Sequence, residues 1–202
     1  MQFPAILTSI ALVCAASVLF PSPTYAQTKE FSQADSALLE MAQAYKQRDR
    51  KRLVTLLQQV RGHALEPWAA YWDLSARLDE ASVPEIQAFL TRYSGTYQED
   101  RLRAEWLLKL GRNRDWVAFN REYPLYRMND DKSVRCYALL ADHLSSATDI
   151  HTQLRDTWLS LREADEACSS AAEQVLKDHP PTTRTVWLRA RLGMENARLR
   201  VA

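Results

Sequence analysis

Glycine is scarce in this sequence: only four of its 202 residues are glycine, and no stretch is rich in glycine, serine or proline. A turn-rich β fold needs more glycine, so the composition favours helices. No low-complexity segment or flexible linker interrupts residues 27–202, which we therefore expect to form one domain. Hydrophobic residues make up 47% of the chain, enough for one sizeable core.

The chain also lacks an excess of charge of either sign, with a formal net charge of +1 at pH 7. No global field therefore attracts it to nucleic acid or to an anionic membrane, and we expect no nucleic-acid partner. One local basic cluster comprises Arg48, Arg50, Lys51 and Arg52, interrupted by Asp49. This cluster is either a solvated helix face or a contact for acidic cell-wall polymers, and binding that weakens steeply with salt would favour the contact.

Motifs for metal-dependent and nucleophilic chemistry are missing as well. The four histidines fit neither an HExxH motif nor the spacing of a zinc site, and no nucleophile elbow is present. Glu105 and Glu122, each next to an aromatic residue, are the nearest candidates for a general acid, but charged residues of amphipathic helices normally face solvent. We expect no catalytic residue, no metal site and no cofactor. The histidines are His63, His143, His151 and His179.

The first 26 residues have the pattern of a secretory signal peptide. An apolar run covers residues 5–20, and Thr24-Tyr25-Ala26 predicts cleavage before Gln27, although residues 1–4 contain no Lys or Arg. An uncleaved anchor is an alternative, but the run is shorter than the roughly 20 residues that cross a bilayer. Lipidation at Cys14 is another, but the small residue expected before it is absent. After cleavage we expect no stable membrane span.

Residues 32–202 divide into helix pairs by the spacing of their apolar residues. The first helices of the pairs are predicted to begin near Ser32, Pro67, Gln98, Asp131 and Asp165, roughly one every 31 to 35 residues. This period is typical of an all-α superhelix, or solenoid, of about five antiparallel helical hairpins.

Ser32 is the predicted N-cap of the first helix, a break is expected near Asp49, and Ser82 is predicted to cap a later return helix.

Residues 103–131 show the pattern of one pair most clearly: helix, tight turn, helix and stop. Gly111 is predicted to be a left-handed C-cap, Asp115 to start the second helix and Pro124 to end it. Such a unit cannot bury its apolar face alone, so similar units must pack on both sides.

Two runs in this stretch resemble the N-terminal superhelical U domain of the soluble lytic murein transglycosylases: W-L-L-K-L-G-R-N-R-D-W at 106–116 and E-Y-P-L-Y-R-M-N-D-D at 122–131. The resemblance continues through E-P-W-A-A-Y-W at 66–72 and V-R-C-Y-A-L-L at 134–140, and so covers nearly all of residues 27–202. It implies a periplasmic protein whose partners are peptidoglycan glycan strands and cell-wall synthesis proteins.

Enzymes of this family cleave glycan strands with one Glu, found in a Glu-Ser dipeptide upstream of a Gly-Leu-Met-Gln motif. This chain contains neither motif. The resemblance therefore implies a non-catalytic segment that positions peptidoglycan for a catalytic domain outside these residues.

A stand-alone adaptor similar to a TPR array, binding a periplasmic protein, is the alternative, and a non-functional remnant is a third. The last helix has no capping Gly or Pro, so we expect a superhelix truncated at its C-terminal end.

Cys136 and Cys168 lie one repeat apart on the first helices of consecutive hairpins, where the two side chains can face each other. The resemblance also implies a disulfide in this domain, and an oxidising compartment permits one. Two buried free thiols are the alternative.

Trp68, Tyr71 and Trp72 lie at positions i, i+3 and i+4, so they share one helical face. Core packing between hairpins is the favoured interpretation, and stacking on a glycan is the other. The same two interpretations apply to Trp106 and Trp116, which flank Gly111.

Overall fold

The computed structural model describes residues 32–146, 150–176 and 182–195. Within these ranges it contains ten α-helices, two single turns of 3-10 helix and no strand, so the all-α prediction is confirmed. The predicted signal peptide with Cys14, the predicted stop at 179–181 and the end of the last helix lie outside the described residues.

The helices are α1 Gln33–Gln47, α2 Arg50–Leu57, α3 Glu66–Ser75, α4 Val83–Arg92, α5 Tyr97–Arg112, α6 Trp116–Glu122, α7 Lys132–Ser146, α8 His151–Leu159, α9 Glu166–Leu176 and α10 Thr183–Glu195.

Short polar residues start several helices by accepting hydrogen bonds from otherwise unpaired N–H groups of the first turn. At α1 the Ser32 hydroxyl accepts from the Asp35 N–H at 3.1 Å, and the Asp35 carboxylate accepts from the Ser32 N–H at 2.9 Å. The side chains of Asp49, Ser82 and Asp115 cap α2, α4 and α6. The sequence places a helix start or break at all four caps, and these predictions are confirmed.

Gly111 is not the left-handed C-cap that the sequence predicts. α5 continues through Arg112, and the left-handed residue after it is Arg114, with a φ of 57°. Gly111 lies inside the helix, where a Cβ atom would come within 2.3 Å of Cδ2 of Tyr137 on α7. The missing side chain thus permits close packing of two helices rather than a turn, and a local pattern cannot distinguish these two uses of glycine.

The odd-numbered helices contact one another in chain order, from α1 to α3, α5, α7 and α9. Among the even-numbered helices, α2, α6 and α8 each contact both of their neighbours in the chain, α4 contacts α5, and α10 contacts α8. These helices all belong to one compact unit.

Buried apolar side chains form two clusters. The larger extends from α3 to α9 and includes Trp106, which is 1% exposed and therefore unavailable to a ligand. The smaller joins α1, α2 and α3 through side chains such as Met41 and Leu53, both 0% exposed. Trp72 on α3 packs against both clusters.

Buried ion pairs join α5 to α6 and to the segment that follows α6. The Arg103 guanidinium is almost completely buried and donates to Glu99 at 2.7 Å and to Glu122 at 2.6 Å. Arg127 donates to the other oxygen of Glu99 at 2.9 Å. The expectation that Glu122 faces solvent is therefore wrong, because a buried arginine from the neighbouring helix pairs with its carboxylate.

A disulfide bond joins α7 to α9. The Sγ atoms of Cys136 and Cys168 lie 1.97 Å apart, and both residues are fully buried. The bond closes a loop that contains α8, and it joins the two cysteines that the sequence indicates.

Candidate functional site

Five aromatic rings from α1, α3 and α5 form one group, which we call the aromatic cluster. Trp68, Tyr71 and Trp72 share a face of α3, while Tyr45 near the end of α1 and Tyr97 at the start of α5 extend the cluster to the neighbouring helices. Ring centroids lie 6.2 Å apart for Tyr45 and Trp72, 5.8 Å for Trp68 and Trp72, and 5.7 Å for Trp68 and Tyr97. The aromatic cluster therefore runs continuously across three helices.

The rings of the aromatic cluster differ in exposure. Tyr71 is 5% exposed and Tyr97 is 54% exposed, whereas Tyr45, Trp68 and Trp72 are half-buried. A ring needs an open face to stack on a ligand. Tyr71 is therefore a packing residue, and the other four rings are the accessible part of the cluster.

A carboxylate from α5 lies against the aromatic cluster. Glu105 accepts hydrogen bonds from the Tyr71 hydroxyl at 2.5 Å and from the Ser75 hydroxyl at 2.6 Å, and Nε of Arg101 lies 3.6 Å from it. The Ser75 and Tyr45 hydroxyl oxygens are 3.3 Å apart. Burial, reinforced by the Glu105 carboxylate, raises the pKa of Tyr71 well above its usual range, so its hydroxyl remains a donor.

Glu105 is thus held as a hydrogen-bond acceptor. Only 22% of its side chain is exposed, so the expectation that it faces solvent is wrong: two hydroxyls from α3 hold it against the neighbouring helix. A general acid needs a carboxyl that keeps its proton and presents it to a substrate. Accessible rings beside fixed hydroxyls, a carboxylate and an arginine have the chemistry that a binding surface needs, because flat apolar faces stack on rings and ligand hydroxyls bond to polar groups.

The basic cluster predicted at the start of α2 is partly neutralised. Arg50 donates to Glu80, with one contact at 2.8 Å, and Arg52 donates to Glu40, with one contact at 2.7 Å. Arg48 is exposed and has a left-handed φ of 59°. Exposed pairs like these contribute little to stability, because solvent screens them. Their main effect is to reduce the positive charge that the cluster offers to a ligand.

Other residues considered from the sequence lie outside the aromatic cluster's network of ring contacts and hydrogen bonds. Trp116 is half-buried, with its ring centroid 6.2 Å from that of Tyr137. Nε2 of His63 is 3.0 Å from Oδ1 of Asp35. Among the described residues no group of three or more His, Cys, Asp or Glu side chains is placed to hold a metal ion.

Only the α3 part of the aromatic cluster is predictable from the sequence. The spacing of Trp68, Tyr71 and Trp72 within one helix is visible in the sequence, but Tyr45 and Tyr97 join them only when three helices pack. The sequence does contain one local signal for Tyr97. Tyr97 directly follows Thr96, a residue type favoured at helix N-caps, so its ring is expected at the start of a helix. In the structure this ring is 54% exposed.

The described helices are amphipathic rather than uniformly apolar, and none of them has the length and hydropathy needed to cross a membrane. Comparison with protein-family models, curated proteins and solved structures found no significant match to this chain.

Proposed function

We propose that residues 27–202 form a periplasmic superhelical segment, similar to the U domain of a soluble lytic murein transglycosylase, that binds and positions peptidoglycan strands without cleaving them. The observation that carries this proposal is the aromatic cluster, in which accessible rings from three helices adjoin Ser75, Arg101 and Glu105.

The contacts between helices support the superhelical part of the proposal. In a solenoid each repeat contacts only its neighbours, and equivalent helices of successive repeats pack side by side. The odd-numbered helices contact one another in chain order, from α1 to α9. They begin at Gln33, Glu66, Tyr97, Lys132 and Glu166, close to the predicted repeat starts.

The chemistry of sugars supports the binding part. A pyranose ring presents apolar C–H faces that stack on aromatic rings and hydroxyl or amide groups that need hydrogen-bond partners. The half-buried rings of Trp68 and Trp72 offer the first, while Ser75, Arg101 and Glu105 offer the second. A cluster that crosses three helices can contact several sugars of one strand.

The disulfide between Cys136 and Cys168 supports a periplasmic location, because disulfides persist in oxidising compartments and are rare in the cytosol. The role is assigned to binding because both Glu105 oxygens accept hydrogen bonds from protein hydroxyls and the Glu-Ser motif is missing from the sequence.

Co-sedimentation of the purified chain with insoluble peptidoglycan sacculi tests the proposal. We expect binding without release of anhydro sugars. Tyr97→Ala and Trp68→Ala should each weaken binding about fivefold, because a stacked ring contributes on the order of 1 kcal/mol. Trp187→Ala is the matched control: Trp187 is 67% exposed on α10, outside the aromatic cluster, so its removal should leave binding unchanged.

The outcomes separate the proposed roles. Absence of sedimentation would remove the glycan-binding role, and an equal loss for Trp187→Ala would show that exposed aromatics bind sacculi non-specifically. Release of anhydro sugars would overturn the non-catalytic assignment. Circular dichroism of each variant checks that a loss of binding does not come from unfolding.

A second function, a TPR-like adaptor for a periplasmic protein, is favoured by one observation. α10 exposes Val186, Trp187 and Met194, by 46%, 67% and 56%. An apolar surface of this kind suits a protein partner better than a sugar strand. On this alternative Trp187→Ala would abolish capture of a protein while sedimentation with sacculi is absent in the wild-type chain.

A further inference from the structure

A cavity of about 490 Å³ opens beside the aromatic cluster, where the end of α1, the start of α2 and the end of α3 meet. We call it the basic cavity because three of its lining residues are cationic. Its lining residues are Tyr45, Lys46, Arg48, Arg50, Ser75 and Ala76.

Two of these cations are available to a ligand. Arg50 is already paired with the Glu80 carboxylate. In the part of the chain that the structure describes, neither Lys46 nor Arg48 has an ion-pair partner, and both are exposed. The cavity thus combines a net positive charge with room for a small group.

The basic cavity and the aromatic cluster share residues. The Tyr45 ring stacks on Trp72 with an interplanar angle of 26°, and Tyr45 also lines the cavity. Ser75 lines the cavity too, and its hydroxyl donates to Glu105 at 2.6 Å. A ligand stacked on Tyr45 and Trp72 therefore has its substituents next to Lys46 and Arg48.

We propose that the basic cavity takes a carboxylate carried by the glycan that binds at the aromatic cluster. This inference rests on the proposed function and adds a charge requirement to it. A lysine and an arginine without carboxylate partners bind an anionic oxygen more strongly than they bind a neutral hydroxyl, because the hydrogen bonds are charge-assisted. An uncharged amino-sugar polymer would gain only the weaker hydrogen bonds to neutral groups.

The carboxylate has two sources in a glycan of this class: an acidic substituent on the sugar itself, or a peptide attached to that substituent. Three probes distinguish them. The first is an uncharged N-acetylglucosamine tetrasaccharide, the second is a tetrasaccharide in which alternate sugars carry a carboxylate ether, and the third is the second with a short acidic peptide on each carboxylate.

Isothermal titration calorimetry of the purified chain with each probe tests the inference. We expect at least one carboxylate-bearing probe to bind about tenfold more tightly than the uncharged one, a preference that shrinks as salt is raised. The double variant Lys46→Gln, Arg48→Gln should lose this preference and keep its affinity for the uncharged probe. Glutamine keeps a side chain at the left-handed position 48, so the backbone requirement there is unchanged.

Lys51→Gln is the matched control, because Lys51 is an exposed cation of the same cluster that does not line the cavity. It should keep the full preference. A gain seen with the sugar-borne carboxylate assigns the cavity to the sugar substituent, and a gain seen only with the third probe assigns it to the peptide.

Any of three results would overturn the inference. The first is that the wild-type chain shows no preference for a carboxylate, and the second is that the double variant keeps the preference. The third is that Lys51→Gln loses as much of the preference as the double variant. Equal binding of all probes leaves the proposed glycan-binding function standing. Absence of binding for every probe removes that function and this inference together.

Discussion

The missing Cβ atom of Gly111 lets helices α5 and α7 pack closely at the ring of Tyr137. An added Cβ at position 111 would lie 2.3 Å from Cδ2 and 2.5 Å from Cγ of the Tyr137 ring. Alanine is otherwise the better helix former by about 1 kcal/mol. At this position we expect Gly111→Ala to destabilise the chain by about 1 to 3 kcal/mol, because the ring and helix α7 must move. Urea denaturation followed by circular dichroism measures the change.

The pair also supplies its own control. If the clash with the ring is the cause, Gly111→Ala should cost much less when Tyr137 is replaced by Leu, whose side chain is smaller. A double-mutant cycle gives this coupling directly. Replacing an exposed glycine of a helix by alanine stabilises the protein. A stabilising effect of Gly111→Ala would therefore contradict the packing described here.

At the scale of the helices, the side chain of Arg103 joins α5 to α6 through buried ion pairs. It lies on α5, pairs with Glu99 of the same helix, and reaches Glu122 at the end of α6. We expect Arg103→Met to destabilise the chain by about 3 kcal/mol, because two buried carboxylates lose their common partner. Chemical denaturation at neutral pH measures the loss.

Arg121 provides a comparison at the same carboxylate. Its Nε is 3.2 Å from Oε1 of Glu122, but its own side chain is 56% exposed. Arg121→Met should therefore cost less than about 1 kcal/mol. Equal effects of the two substitutions would mean that burial does not decide the strength of these pairs.

The helices themselves could be predicted from the sequence because the signals are local. Ser32, Ser82 and Asp115 act within the first turn of their own helices. The pairing of Arg103 with Glu122 and the meeting of Tyr45 with Trp72 depend on how helices pack, and helical spacing alone carries no information on either. The left-handed C-cap predicted at Gly111 is wrong because glycine serves both turns and close helix contacts.

For the whole molecule, the division of the core into two clusters predicts how the chain opens. The smaller cluster holds α1 and α2 against α3, whereas the larger one extends from α3 to α9 and contains the disulfide. Parts of a core that belong to separate clusters can unfold separately. Met41→Ala removes a fully buried side chain from the smaller cluster and should speed amide exchange in α1 and α2 while α7 and α9 stay protected.

Hydrogen exchange read by mass spectrometry resolves these segments. Val117→Ala is the control, because Val117 is 83% exposed and its truncation should change exchange nowhere in the core. Faster exchange of all four helices in Met41→Ala would show that the two clusters unfold as one unit.

The bond between Cys136 and Cys168 has a consequence for a chain that has been cut. It encloses α8, so a protease that cleaves once anywhere between these two residues produces two pieces that stay attached. On a gel without reductant such nicked protein migrates with the intact chain, and only added thiol separates the pieces. A single backbone break in this region therefore does not by itself release the C-terminal helices, whereas a second break frees the stretch between the two cuts.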